Sequence, residues 1–94
     1  MNEGRRSNRI PKRIEAILYI MNHSFPIIIR NISETGLCAS IQGTVPIGTR
    51  CTIIFTRIAP SVSFHGIVAR YKHNEIGIKF DKIKEEQRNV LAML

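Results

Sequence analysis

The sequence NISETG, residues 31–36, is a short polar turn in an otherwise apolar region, and the basic cluster RRSNR, residues 5–9, precedes it. Two apolar segments lie between these stretches and meet at a polar tip, residues 22–24. If the chain folds back at this tip as an antiparallel hairpin, residues 9–12 lie opposite residues 33–36. The pattern therefore predicts a cluster of guanidinium groups beside a polar turn that ends in glycine.

Composition limits the chain to one small domain with an anionic partner. The 94 residues are 44% hydrophobic, which is normal for a globular domain with one modest core. There are 14 Lys and Arg residues against 7 Asp and Glu residues, a net charge of +7. Such an excess favours binding to nucleic acid, a nucleotide or a membrane surface and does not choose among them.

Three features missing from the sequence indicate the cellular compartment of the protein and the redox state of its cysteines. It has no apolar run of about 18 residues, so no spanning helix is expected. The N-terminus is polar and basic, unlike a secretory signal, and we expect a cytoplasmic protein. Cys38 and Cys51 lack a CxxC spacing and are interpreted as buried thiols in a reducing compartment.

Alternation of apolar and polar residues predicts six short strands followed by a helix. The strands are predicted at residues 13–21, 25–33, 37–41, 50–57, 62–72 and 76–80. Over residues 83–94 the apolar residues recur with the period of an α-helix, and Pro and Gly are absent. We expect a basic N-terminal arm at residues 1–12 and a mainly β domain at residues 13–94, either a small antiparallel barrel or a curled sheet.

The chemistry of the two polar stretches suits an anionic ligand with a base edge. Arginine forms bidentate bonds to phosphate or to a guanine edge and stacks on bases. Asn31 offers an amide for a base edge, Ser33 offers a hydroxyl, and the turn exposes backbone N–H groups. Gly36 allows either a close approach or a positive φ.

The pair RxxxR and NxSxxG resembles the RxxxR and [D/N]xSxxG motifs of PilZ domains, which bind cyclic di-GMP in bacteria. The turn PxGT at residues 46–49, GxV at residues 66–68 and GIxF at residues 77–80 are similar to later signatures of that family. The resemblance implies a six-stranded antiparallel β-barrel with a C-terminal helix. It also implies ligand binding by Arg5, Arg6, Arg9, Asn31, Ser33 and Gly36.

By the same resemblance, the ligand orders the arm, and the altered arm signals to a partner protein in motility, biofilm or exopolysaccharide control. Position 31 is Asn where Asp is commoner, and an amide holds a guanine edge less strongly than a carboxylate. Arg70 is a weaker candidate for a ligand neighbour. Whether one or two ligand molecules bind stays open, and we expect a monomer or a weak dimer.

Two other functions are compatible with the sequence. One is a PilZ-like interaction module that binds no ligand and acts in pilus assembly or motility. The other is a small basic barrel that binds nucleic acid, although no aromatic stacking motif is present. The sequence shows no combination of nucleophile, general base and oxyanion site, so we expect no enzymatic activity and no cofactor. His23, His65 and His73 lack the spacing of metal ligands, so we also expect no metal site.

Overall fold

The computed structural model describes residues 10–94, with side chains from residue 13 onward, and its six strands and one helix confirm the predicted element order. The elements are β1 (Ile10–Ile20), β2 (His23–Ile32), β3 (Gly36–Ile41), β4 (Arg50–Ile54), β5 (Ser63–Lys72), β6 (Glu75–Phe80) and α1 (Glu85–Ala92). The first strand thus begins inside the segment assigned to the arm. Residues 1–9, which carry the arginine cluster, lie outside the described residues.

All neighbouring strands are antiparallel and close into a barrel in the order β1-β2-β3-β6-β5-β4. This confirms the predicted barrel. Alternate residues point inward, as period-two patterning requires, and they form one apolar core. Phe64 lies in this core, its ring packed edge-on against Phe55 at 5.1 Å and tilted against Phe80 at 5.3 Å between ring centroids.

The β1–β2 hairpin turns at Met21 and Asn22, and Met21 adopts a positive φ of 56°. The turn lies earlier than the predicted tip at residues 22–24. Because it has only two residues, His23 already belongs to the second strand. Ile10 pairs with Ile32 and Pro11 with Asn31. The predicted pairing of residues 9–12 with residues 33–36 was wrong by a few residues, but the start of β1 does lie at the end of β2.

Helix α1 lies across one end of the barrel, where Val90 and Leu91 are buried. The Gln87 side chain connects the start of the helix to the start of β5. Its Oε1 accepts the Lys84 backbone N–H at 2.7 Å, and its Nε2 donates to the Ser63 carbonyl oxygen at 2.9 Å. The helix is shorter than the predicted residues 83–94. Because β5 begins at Ser63, the helix lies at the same barrel end as the β2–β3 turn and the start of β1.

Strand β4 is also shorter than predicted, since the sheet ends at Ile54 instead of residue 57. The N–H groups of Ile58 and Ala59 both donate to the Phe55 carbonyl, at 3.2 and 3.0 Å. These turn bonds carry the chain out of the sheet while Phe55 stays buried. The short β4 pairs with β1 only from Ile17 to Tyr19.

Candidate functional site

The turn between β2 and β3 is held by its own side chains. Ser33 is buried, and its hydroxyl lies 2.9 Å from the Thr35 hydroxyl and accepts the Thr35 N–H at 3.2 Å. The Ser33 N–H donates to the Gly36 carbonyl at 2.8 Å. The expectation that the turn leaves its N–H groups exposed was therefore wrong for Thr35. Ser33 fixes the shape of the turn, as Ser and Thr commonly do in such loops.

Gly36 is required by the sheet itself. A Cβ at this position would overlap the backbone carbonyl of Ile78 on β6. Among the described glycines, Gly43 and Gly48 adopt a positive φ and Gly36 does not. Of the two roles that the sequence left open, the structure selects close backbone approach.

Asn31 lies near the end of β2, between Pro11 of β1 and Cys38 of β3, and is half-buried. A register shift between Ile29 and Asn31 marks a β-bulge at Arg30. Bulges redirect side chains and are common beside functional sites. Here the bulge leaves Arg30 exposed, and its Nη1 donates to the Ser40 hydroxyl at 2.8 Å.

The arginines of the RxxxR motif, Arg5 and Arg9, together with Arg6, lie outside the described residues. The strand register nevertheless limits where this segment joins the barrel. Because Ile10 pairs with Ile32, the chain enters β1 directly beside the residue that precedes Ser33. The two motifs are therefore attached to the same end of the barrel.

An open groove of about 460 Å³ runs from the β2–β3 turn across β6 to β5. Its wall includes Thr35, Gly36 and Lys79, and Arg70 lies on its far side. A second bulge, between Val68 and Arg70, occurs in β5. Both Ala69 and Arg70 are exposed there, so this bulge also brings an arginine to the surface.

The Arg70 side chain lies over β6 at Gly77. A Cβ on Gly77 would be 3.2 Å from Arg70 Nε, and Arg70 Nη2 donates to Cys38 Sγ at 3.2 Å. Cys38 pairs with Gly77, and Gly77 pairs with Arg70, so the contact crosses three adjacent strands. The glycine gives the guanidinium a path along the floor of the groove toward the β2–β3 turn.

The charges around the turn are mostly basic. The turn's carboxylate, Glu34, is 3.4 Å from Arg88 Nε of α1, which links the turn to the helix. Both partners are about half exposed, so the pair contributes little stability. Lys79 and Arg70 remain on the groove without an ion-pair partner among residues 13–94. An anion in this groove would meet two cationic side chains.

The other reactive groups do not converge on this groove. Burial raises the pKa of the Cys51 thiol from 9.0 to about 11, so it is protonated at neutral pH. Among the described residues, no group of three or more His, Cys, Asp or Glu side chains is arranged to hold a metal ion. A larger cavity, about 670 Å³, extends from the His73–Asn74 turn along β2 and β3 as far as Arg30 and does not include the β2–β3 turn.

The fold and the groove define a small barrel module with a basic surface beside a polar turn. The sequence model of the PilZ domain matches residues 3–94, and the chain therefore belongs to the PilZ domain family. PilZ domains are binding and adaptor modules associated with cyclic di-GMP. A search of the curated proteins found no match. Over residues 10–94, no helix has the length and apolar character needed to cross a membrane.

Sequence reasoning missed Arg30, Cys38, Gly77 and Lys79 as neighbours of the motif. Three of them lie on β3 and β6, which pair although they are far apart in the sequence. The alternation of each strand shows which of its residues face outward, but it does not give the order of strands in the barrel. Arg70 was named as a weaker candidate, and it does line the groove.

Proposed function

We propose that this protein is a cyclic di-GMP receptor whose N-terminal arm closes over the ligand. The binding residues are Arg5, Arg6, Arg9, Asn31, Ser33 and Gly36. The ordered arm presents a new surface to a downstream partner protein, in the control of motility, biofilm formation or exopolysaccharide synthesis. Membership of the PilZ family and the presence of both motifs in one chain support this proposal.

The observation that carries the proposal is the register at the start of β1. Ile10 pairs with Ile32, so the described part of β1 begins next to the β2–β3 turn. Five residues of extended chain span at most about 17 Å, which keeps Arg5 within that distance of the strand start. An arm of this length is therefore tethered close to the turn before any ligand arrives.

The chemistry of the ligand matches this arrangement. Cyclic di-GMP carries two phosphates and two guanines, and arginine binds both groups with bidentate, charge-assisted bonds. Asn31 provides an amide for a guanine edge, and Gly36 lets the ligand approach the backbone. Arg70 and Lys79 extend the cationic surface along the groove. These bonds offset the entropy lost when the arm becomes ordered.

Calorimetric titration with cyclic di-GMP tests the proposal directly. We expect Arg5→Ala or Arg9→Ala to abolish measurable binding, because each removes a guanidinium that contacts the ligand. Thermal stability is the second readout, and we expect it to stay nearly unchanged in both variants, because the substitutions are aimed at ligand contacts. Lys72→Ala is the matched control: it removes one exposed positive charge from β5 at the other end of the barrel and should bind as the wild type does.

Three outcomes would contradict the proposal, and the last two separate it from the alternatives. If both arginine variants bind with the wild-type affinity, the arm is not the site. If the wild-type chain binds no cyclic di-GMP but shifts single-stranded RNA in a gel, with steep salt dependence, it is a nucleic-acid-binding barrel. Absence of both activities would leave the ligand-free interaction module.

A further inference from the structure

The carboxylate of the β2–β3 turn is held by the helix. Glu34 lies between Ser33 and Thr35, whose hydroxyl oxygens are 2.9 Å apart, so the backbone that carries it is fixed. Its Oε2 is 3.4 Å from Arg88 Nε of α1. Arg88 does not line the groove that runs from the turn across β6. The turn's negative charge is therefore paired with a cation from outside that groove.

The fold determines where Arg88 lies, because residues on both sides of it anchor α1 to the barrel. Its N–H donates to the Lys84 carbonyl at 2.9 Å, which places it in the first turn of the helix. The preceding residue, Gln87, donates to the Ser63 carbonyl at 2.9 Å, and Leu91, one turn later, is buried. The helix thus presents Arg88 to the turn in one orientation.

The groove itself contains cations and no carboxylate. Arg70 and Lys79 line it, and neither has an ion-pair partner among residues 13–94. Lys79 is next to the turn, since it pairs with Gly36. Once released from Arg88, the Glu34 carboxylate has Lys79 as an alternative partner, because opposite charges attract. The carboxylate and an anionic ligand would then compete for the same ammonium group.

We propose that Arg88 is a positioning residue of the ligand site: it keeps the Glu34 carboxylate on the helix side of the turn and so leaves Lys79 free for the anion. This inference rests on the proposed function, because it assigns cyclic di-GMP to the groove. Both side chains of the ion pair are about half exposed, so the pair adds little to stability. Its removal should therefore change binding more than it changes folding.

Calorimetric titration with cyclic di-GMP tests the inference through a double-variant cycle. Arg88→Ala should weaken binding by about three- to five-fold, because the released Glu34 carboxylate occupies Lys79. Glu34→Gln should bind at least as tightly as the wild type, since it removes the competing charge. In the Glu34→Gln background, Arg88→Ala should change the affinity by less than about two-fold, because the two residues act as a unit.

Two further variants separate positioning from a general effect of charge. Arg88→Lys keeps a cation on α1 and should restore most of the affinity. Arg57→Ala removes one exposed positive charge from the β4–β5 loop and should bind as the wild type does. Urea denaturation of Arg88→Ala should show nearly wild-type stability, because the ion pair that it removes is half exposed.

A measurement on the free protein keeps this inference separate from the proposed function. The side-chain NMR signals of Lys79 should shift in Arg88→Ala and return in the double variant with Glu34→Gln. The inference is overturned if Lys79 does not respond, if Glu34→Gln weakens binding, or if Arg88→Ala has the same effect in both backgrounds. If Lys79 responds but the wild type binds no cyclic di-GMP, the proposed function is wrong and the positioning of Glu34 by Arg88 stands.

Discussion

Gly36 and Gly66 lie on the two strands that flank β6, and the barrel requires both for the same reason. Gly36 is in the NISETG motif, whereas Gly66 belongs to neither motif of the candidate site. A Cβ on Gly36 would overlap the Ile78 carbonyl, and a Cβ on Gly66 would overlap the Lys79 carbonyl. Packing against β6 therefore requires a glycine at position 36, whether or not the residue also contacts a ligand.

Gly77 provides the contrast, because its neighbour is a side chain. A Cβ there would approach Arg70 Nε at 3.2 Å, and a flexible guanidinium can move away while a backbone carbonyl cannot. Comparison of the three glycines shows that a Gly36 substitution could abolish binding by disturbing the barrel. Loss of binding would therefore not by itself identify a ligand contact. Stability has to be measured beside affinity at each motif position.

The largest effect is expected at the two glycines that face backbone. Gly36→Ala and Gly66→Ala should each lower the free energy of unfolding by about 2–3 kcal/mol, because β6 must shift to admit the methyl group. Urea denaturation measures this for both variants. If Gly36→Ala kept wild-type stability while Gly66→Ala did not, the equivalence of the two positions would be wrong.

Asn31 is a motif position where the chemistry of the side chain can be changed while its size and shape are kept. Asn31→Asp should tighten cyclic di-GMP binding by about ten-fold, since a carboxylate accepts charge-assisted bonds from a guanine edge. Urea denaturation of the variant, set beside the titration, separates an effect on the fold from an effect on the ligand. Asn89→Asp, on the exposed face of α1, is the control for the added negative charge. Equal or weaker binding by Asn31→Asp would argue against a guanine at this position.

Ser33 lies between these extremes, because its hydroxyl holds the turn. Ser33→Ala removes the contact with the Thr35 hydroxyl and the acceptor for the Thr35 N–H, and should lower stability by about 1 kcal/mol. Ser61→Ala, at an exposed serine in the β4–β5 loop, serves as the control. A Ser33→Ala chain as stable as this control would show that the turn does not depend on the hydroxyl.

The smallest effect is expected at Gly77. Gly77→Ala should change stability by less than about 0.5 kcal/mol, because only the Arg70 side chain has to move. The displacement should be visible as a shifted Nε–H signal of Arg70 in an NMR spectrum. A loss of stability as large as that at Gly36 would remove the distinction between backbone and side-chain neighbours.

How far the sequence predicted the structure depends on the range of the interactions. The β1–β2 hairpin was predicted because its two strands are adjacent in the sequence. The predicted turn was misplaced, because Met21 adopts a positive φ, and sequence patterns usually place a glycine at such a position. The end of β4 was missed because the turn bonds to the Phe55 carbonyl leave no clear pattern of residues. The candidate turn was located correctly, but the internal bonding of Ser33 was not foreseen.

By itself, the sequence determined the number of strands, the inward face of four of them, the C-terminal helix and the two paired motifs. These features depend on the period-two or helical spacing of apolar residues, which can be seen directly in the sequence. Only the tertiary structure decided that β3 pairs with β6, that Gly36 faces a carbonyl, that Arg70 reaches Cys38 across Gly77, and that β4 pairs with Ile17–Tyr19 of β1. These depend on which distant strands become neighbours, and barrel closure sets that order through contacts between residues far apart in sequence.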